Sequence, residues 1–285
     1  MVSLNTQRLP YLLIAPSVAF LALLFLWPLG ETVLMAFVTP QGVPTTAYLR
    51  KMVGDLNFGL ALRNTLILVA IIVPLQVSIA LGLAMLLGKV EHGRMAHLYA
   101  WTLPLGVSDL AAGIVWLAIL TDRGYLNSVL QALGVLDGPT AWLSIRTPIA
   151  LFACVIVAEI WRATAIVLVI LVAGVQLIPK EYIEAAEVFG AGPWTRFVKI
   201  TLPLLKPSLQ SALILRTVLA FEVFAVVYAL AGRDLPVLVG EAYNWQVQYQ
   251  NTHVASAYAL FILLVSIGTT LFYLRVLRVR RETLA

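Results

Sequence analysis

Charge is what this sequence has least of. Only 12% of its 285 residues are Asp, Glu, Lys or Arg, and 61% are apolar. An ordinary soluble domain is about half apolar and about a quarter charged. The balance excludes a soluble enzyme and demands a lipid-facing surface. Cysteine is nearly absent: Cys154 stands alone inside an apolar run. No internal disulfide can form, and no Cys/His cluster has metal-ligand spacing. The three histidines, His92, His97 and His253, are scattered and read as surface or interfacial residues. A net charge of +5 comes without a basic stripe interleaved with aromatics, so no nucleic-acid partner is expected. There is no low-complexity tract, no internal repeat and no cleavable signal. The first apolar run is too long for a signal h-region, so it is expected to remain as an anchor. Gly82 to Lys89 superficially resembles a phosphate loop, but its spacing is one residue too long and Val90 replaces Ser or Thr. No cofactor is therefore expected on this chain.

Long apolar runs are what the sequence does have. A spanning helix needs about 20 mostly apolar residues, and six segments qualify: about 11–37, 60–87, 97–120, 148–175, 207–231 and 254–277. The fold expected is an all-α membrane protein, one domain over 1–285, with both termini on the same side. With that side cytoplasmic, the inside segments carry eleven Lys and Arg: Arg8, Lys89, Arg94, Lys180, Arg196, Lys199, Lys206, Arg275, Arg278, Arg280 and Arg281. The outside segments carry five: Arg50, Lys51, Arg123, Arg146 and Arg233. The excess of inside cations favours N-in, C-in. The outer loops predict a short helix near 46–53, a short helix followed by a turn over 121–147, and a polar aromatic stretch over 232–253.

Ionisable groups inside spans are expensive and are functional candidates by default. Asp109 falls in the third span, Glu159 and Arg162 in the fourth, Arg216 and Glu222 in the fifth. Glu159 and Arg162 are three apart and share a helical face, so they can pair. Arg216 has Glu222 or a residue of another chain as its expected partner. Asn64 and Asp109 are expected near the outer ends. Carboxylates and amides there would hold a polyol, with rings such as Trp116 and Tyr228 against its apolar face. The same rings fit an interfacial belt equally well.

Between the fourth and fifth runs lies a charged stretch, 178–206. Pro179 suits a helix start, Glu181 and Glu184 suit its positive end, and Gly190 suits a left-handed C-cap. Ala185 and Ala186 leave room for another surface. A second short helix is expected from Gly192-Pro193, with Pro203 and Pro207 turning the chain back into the membrane. Physics alone allows an amphipathic hairpin lying on the bilayer.

The order of residues in this stretch adds more. Glu184-Ala185-Ala186, then Gly190, then Ile200, then Leu202-Pro203 reproduces a Glu-Ala-Ala…Gly…Ile-x-Leu-Pro pattern. It resembles the coupling loop of bacterial ABC importer permeases. Pro10-Tyr11-Leu12-Leu13-Ile14-Ala15-Pro16, Asn64-Thr65, Gly113 to Trp116 and Gly124 to Asn127 also resemble the sugar-type class, that of maltose and glycerol-phosphate permeases. The large outer domain of the maltose permease is absent, and Ala231 to Pro236 matches the class only loosely.

The resemblance implies a type I ABC importer permease fold with a cytoplasmic coupling helix between the fourth and fifth spans. It implies that Glu181, Glu184, Ala185, Ala186, Gly190, Ile200, Leu202 and Pro203 engage an ATPase. It implies that the fifth helix, with Glu222, lines the translocation path. The implied partners are two ATP-binding subunits holding ATP and Mg, a second homologous permease, an extracytoplasmic solute-binding protein and membrane lipid. The implied setting is a bacterial or archaeal cytoplasmic membrane, and the implied cargo a sugar or related polyol. Rival readings are a permease for another solute, such as an amino acid or phosphate compound, and a carrier driven by an ion gradient.

Overall fold

The structure is a computed structural model that describes residues 9–88, 90 and 92–277. Arg8, Lys89, Arg278, Arg280 and Arg281, counted above for orientation, lie outside the described residues. Helices make up nearly all of it, and the one β-feature among the described residues is an isolated bridge between Val38 and Pro44. In chain order the helices are α1 (Pro10–Phe37), α2 (Ala47–Val53), α3 (Phe58–Leu87), α4 (Arg94–Gly106), α5 (Asp109–Leu120) and α6 (Tyr125–Ala132). They continue with α7 (Pro148–Gln176), α8 (Lys180–Val188), α9 (Pro193–Phe221), α10 (Ala225–Ala231), α11 (Leu238–Tyr243) and α12 (Thr252–Val276).

Five helices, α1, α3, α7, α9 and α12, are long and apolar enough to cross a bilayer unaided. The third apolar run differs from the expected continuous span. It breaks after Gly106, and the two halves bend by 99°. Pro104 and Gly106 end a tight 3-10 turn, Val107 is extended, and the Ser108 hydroxyl accepts the Ala111 N–H at 3.3 Å to restart the helix as α5. A hydroxyl N-cap of this kind satisfies one of the orphan donors of a new helix. α5 alone, at 12 residues, is about 18 Å long, short of the bilayer core.

The fifth run also differs. Pro203 and Pro207 do not turn the chain; both lie inside α9, which begins at Pro193 and runs unbroken to Phe221. The reason is a wide π-turn over Phe197–Thr201, where the Leu202 N–H reaches back to Phe197 O. Loosening the turn ahead of Pro203 absorbs the missing N–H and the ring's bulk. α1 solves the same problem identically, with a π-turn at Ala22–Leu26 just before Pro28. The expected second short helix of the 178–206 stretch is thus the start of α9.

α7 is the most buried of the long helices and packs against α3 and α9. An inner core joins Ala80, Ala84, Leu87, Val167, Leu168, Leu171 and Leu205. An outer core joins Leu68, Ile72, Val155, Ala158, Val226 and Val227. Close approach is set by glycine. A Cβ on Gly113 would lie 2.6 Å from Ala229 Cβ, and one on Gly174 would lie 2.6 Å from Ser208 Cβ. By contrast α1 exposes almost its whole apolar surface, as a helix facing lipid or a second chain does.

Candidate functional site

Two helix breaks border one cavity. One is the Val107–Ser108 break before α5; the other is the Glu222–Phe224 break after α9. They border a cavity of about 340 Å³ walled by Leu105, Asp109, Arg162, Ile166, Arg216 and Glu222, among others. Asp109 and Glu222 are exposed in the isolated chain, while Arg216 is fully buried.

A chain of ion pairs backs the cavity. Arg162 donates to Asp109 Oδ1 at 2.6 Å and to Glu159 Oε2 at 3.1 Å. Arg216 donates to the same Glu159 oxygen at 3.0 Å, and its Nε donates to Gln76 Oε1. Gln76 is held in turn by donating its amide to Glu159 O at 2.8 Å. Glu159 is thus a buried carboxylate between two guanidiniums, the arrangement that offsets the cost of burying charge. Arg216 Nη1 has no hydrogen-bond partner in the protein, and its residue faces the cavity. Glu222 makes no ion pair with Arg216, contrary to the pairing expected from sequence; Glu159, one helix away, takes that role.

The remaining path candidates lie elsewhere. Asn64 is buried and donates to Pro236 O at 3.0 Å, pinning the segment before α11. Trp116 packs edge-to-face on Trp161 with ring centroids 6.1 Å apart. Tyr228 belongs to a ring cluster with Phe224 and Tyr243. None of these three lines the cavity. Gln76, which sequence reasoning overlooked, is the one amide in the middle of α3 and has no exposed surface. Its polarity inside a spanning run was the available signal.

The 178–206 stretch follows the C-terminal end of α7. α8 starts after Pro179 and carries Glu181 in its first turn. Gly190 takes φ +76, its N–H bonds Glu187 O, and the Ala191 N–H bonds Ala186 O at 2.9 Å. That pair of bonds is a Schellman cap. Glu187 pairs with Arg196, tying α8 to the foot of α9. Glu181, Glu184 and Ala185 are exposed and Ala186 is half-buried. Leu177, Val188, Phe189 and Trp194 add large exposed apolar surface around them. Ile200 and Leu202 are half-buried in the π-turn region of α9, beside Pro203.

The architecture is that of a polytopic helical membrane protein, with broken helices around a charged cavity and a short helix between α7 and α9. The chain belongs to the family of binding-protein-dependent transport system inner membrane components, whose profile matches residues 96–281. Among relatives, the sulfoquinovosyl glycerol transport system permease protein SmoG of Agrobacterium fabrum is 31% identical, covering 97% of this chain and 92% of that protein. The trehalose/maltose transport system permease protein MalF of Thermococcus litoralis is 34% identical over 74% of this chain and 71% of its own. A chain from the crystal structure of a bacterial ABC transporter that imports the acidic polysaccharide alginate superposes with a TM-score of 0.84 at 22% identity, over 96% of both chains. The protein is therefore a membrane permease of the ABC importer fold.

Proposed function

We propose that this chain forms one half of the translocation path of an ATP-driven importer for a sugar or related polyol. The observation that carries this reading is the cavity at the two helix breaks. Its carboxylates Asp109 and Glu222 are exposed in the isolated chain, at the ends of apolar helices. A carboxylate facing lipid is costly, by about 2.5–3.5 kcal/mol on insertion scales. A second polar surface must therefore cover them, and a homologous permease supplies one, with the path between the two chains. Carboxylates accept from sugar hydroxyls while Arg162 donates to them. The names of the relatives support a sugar cargo, as trehalose, maltose and sulfoquinovosyl glycerol all carry sugar units. Of the path candidates, Asp109, Arg162 and Glu222 touch cargo and Glu159 positions the two arginines.

In the same reading α8 docks on an ATP-binding subunit, one of two, which bind ATP and Mg and hydrolyse the nucleotide. Glu181 and Glu184 meet a basic surface, Ala185 and Ala186 allow its approach, Gly190 shapes the turn, and Ile200, Leu202 and Pro203 fix the foot of α9. An extracytoplasmic binding protein delivers cargo. The chain sits in a bacterial or archaeal cytoplasmic membrane with both termini and α8 inside. Gentle extraction of the tagged chain, followed by mass spectrometry, is expected to recover an ATPase and a second permease. Recovery of this chain alone would overturn the assembly. In the recovered complex Glu222→Ala is expected to lower uptake at least about tenfold while the ATPases remain bound; unchanged uptake would remove Glu222 from the path.

A further inference from the structure

Charge of the two signs is not equally within reach at the cavity between the helix breaks. Asp109, Arg162, Arg216 and Glu222 stand on its wall, and Glu159 lies behind it, paired to both arginines. Three carboxylates thus accompany two guanidiniums, so the set is negative by one charge. Exposure sharpens the imbalance. Arg216 has no exposed surface and is turned to Glu159 and Gln76. Its Nη1 has no partner but is buried too, so cargo does not meet it. The Arg162 side chain keeps 13% of its surface, against 58% for Asp109. Glu222 is exposed and takes part in no ion pair among the described residues.

The one reachable cation is already engaged. Each nitrogen of Arg162 donates to a carboxylate: Nη1 to Asp109 at 2.6 Å, Nη2 and Nε to Glu159 at 3.1 and 3.4 Å. Of the five N–H groups of a guanidinium, two remain for a neutral hydroxyl, but the charge is matched twice over. An entering anion would meet Asp109 and Glu222 and compete with two carboxylates for Arg162. A hydroxyl or an ammonium donates to Asp109 and Glu222 without that repulsion. Leu105, Val107, Ile166, Leu219 and Val223 line much of the remaining wall, and apolar walls focus the field of a cleft lined by one sign of charge.

We infer that this chain's half of the path presents an acidic face that selects against anionic sugars, so that its cargo is an uncharged or amino-bearing sugar. Glu222, the carboxylate without a cation, sets this preference, and Asp109 adds to it. The selection rests on the reading of this cavity as the cargo's path and narrows the class of sugar within it.

The test reads the sign of the potential at the cavity in the full assembly, held in nanodiscs at pH 7.5 and low ionic strength. Ile166→Cys places a thiol on the cavity wall, and Leu219→Cys serves the same end if that variant fails to fold. The unaltered chain, whose lone cysteine is buried, sets the background. Two methanethiosulfonates are the probes, one ending in trimethylammonium and one in sulfonate. Modification of this chain is followed by mass spectrometry, and each rate is divided by the rate with free 2-mercaptoethanol. The cationic probe is expected to be favoured at least about tenfold, and Glu222→Gln is expected to shrink that preference at least about twofold. Equal rates or a preference for the sulfonate overturn the acidic face. So does a cation preference that Glu222→Gln leaves whole, and so does import by the intact assembly of a carboxylated, sulfonated or phosphorylated sugar. Failure of the underlying reading looks different. Modification at the cavity is expected to stop uptake of the sugar held by the recovered binding protein; full uptake after complete modification would take the cavity off the path and overturn the cargo selection with it, while leaving the measured sign of the potential in place.

Discussion

A guanidinium with no exposed surface must find its charge balance inside the protein, and Arg216 finds it in Glu159 and Gln76. Arg216→Ala strands Glu159 beside Arg162 alone and is expected to cost about 3–5 kcal/mol. A thermal melt of the purified chain in detergent reads this directly. The double variant Glu159→Leu/Arg216→Met is expected to recover much of the loss, because apolar replacement of a whole buried pair is often neutral. A melt no better than that of Arg216→Ala would show that Gln76 or Arg162 depends on the pair. Part of this network was legible in the sequence. Glu159 and Arg162 share a face by their spacing alone, and the structure pairs them. Arg216's partner was not legible, because the contact joins helices 57 residues apart and no local rule ranks Glu159 above Glu222. Asn64 shows the converse: a polar residue in a span, read as a path residue, is occupied in holding the chain before α11.

At the scale of single elements, local rules succeeded at caps and failed at prolines. The Gly190 cap and the start of α8 after Pro179 follow from residue preference within one turn. The continuity of α9 does not, because a π-turn two residues ahead of Pro203 decides whether the helix survives. The break before α5 carried signals, Pro104, Gly106 and the Ser108 cap, yet apolar length alone joined it into one span. The packing of α5 on α10 depends on Gly113. Gly113→Val is expected to force the two apart, at a cost of about 1–3 kcal/mol for overpacking. Because α5 and α10 each adjoin one of the two breaks, uptake is expected to fall further than the melting temperature would suggest. Wild-type uptake with a lowered melting temperature would make this contact purely structural.

For the whole molecule, the all-helical character with several long apolar helices fits the reading of the sequence, while the third run is bent at Gly106 and the fifth long helix runs from Pro193 to Phe221 rather than over 207–231. Family membership then supplies the transport class, and the structural neighbours the fold. The predictions at this scale concern α8. Glu184→Lys places a cation on its exposed face without touching the core, so insertion and melting are expected to be normal. On the proposed reading, cargo-stimulated ATP hydrolysis in the reconstituted assembly is expected to fall at least about tenfold; full stimulation would sink the docking role of α8. A cysteine at Val188, which is 85% exposed, is expected to react with a bulky maleimide in the free chain and to be shielded when the ATPase is present. Equal labelling in both states would place the ATPase elsewhere.

The unbroken α9 has a mechanical consequence. Its 29 residues make a rod about 43 Å long, with the foot tied to α8 through Arg196 and the head ending at Glu222. The tightest crossing, Gly174 against Ser208, falls near the rod's midpoint. A seesaw with a central fulcrum has a ratio close to one. On the proposed reading, a pull on the foot would swing the head about as far the other way, so the stroke arriving at the cavity would be neither amplified nor lost.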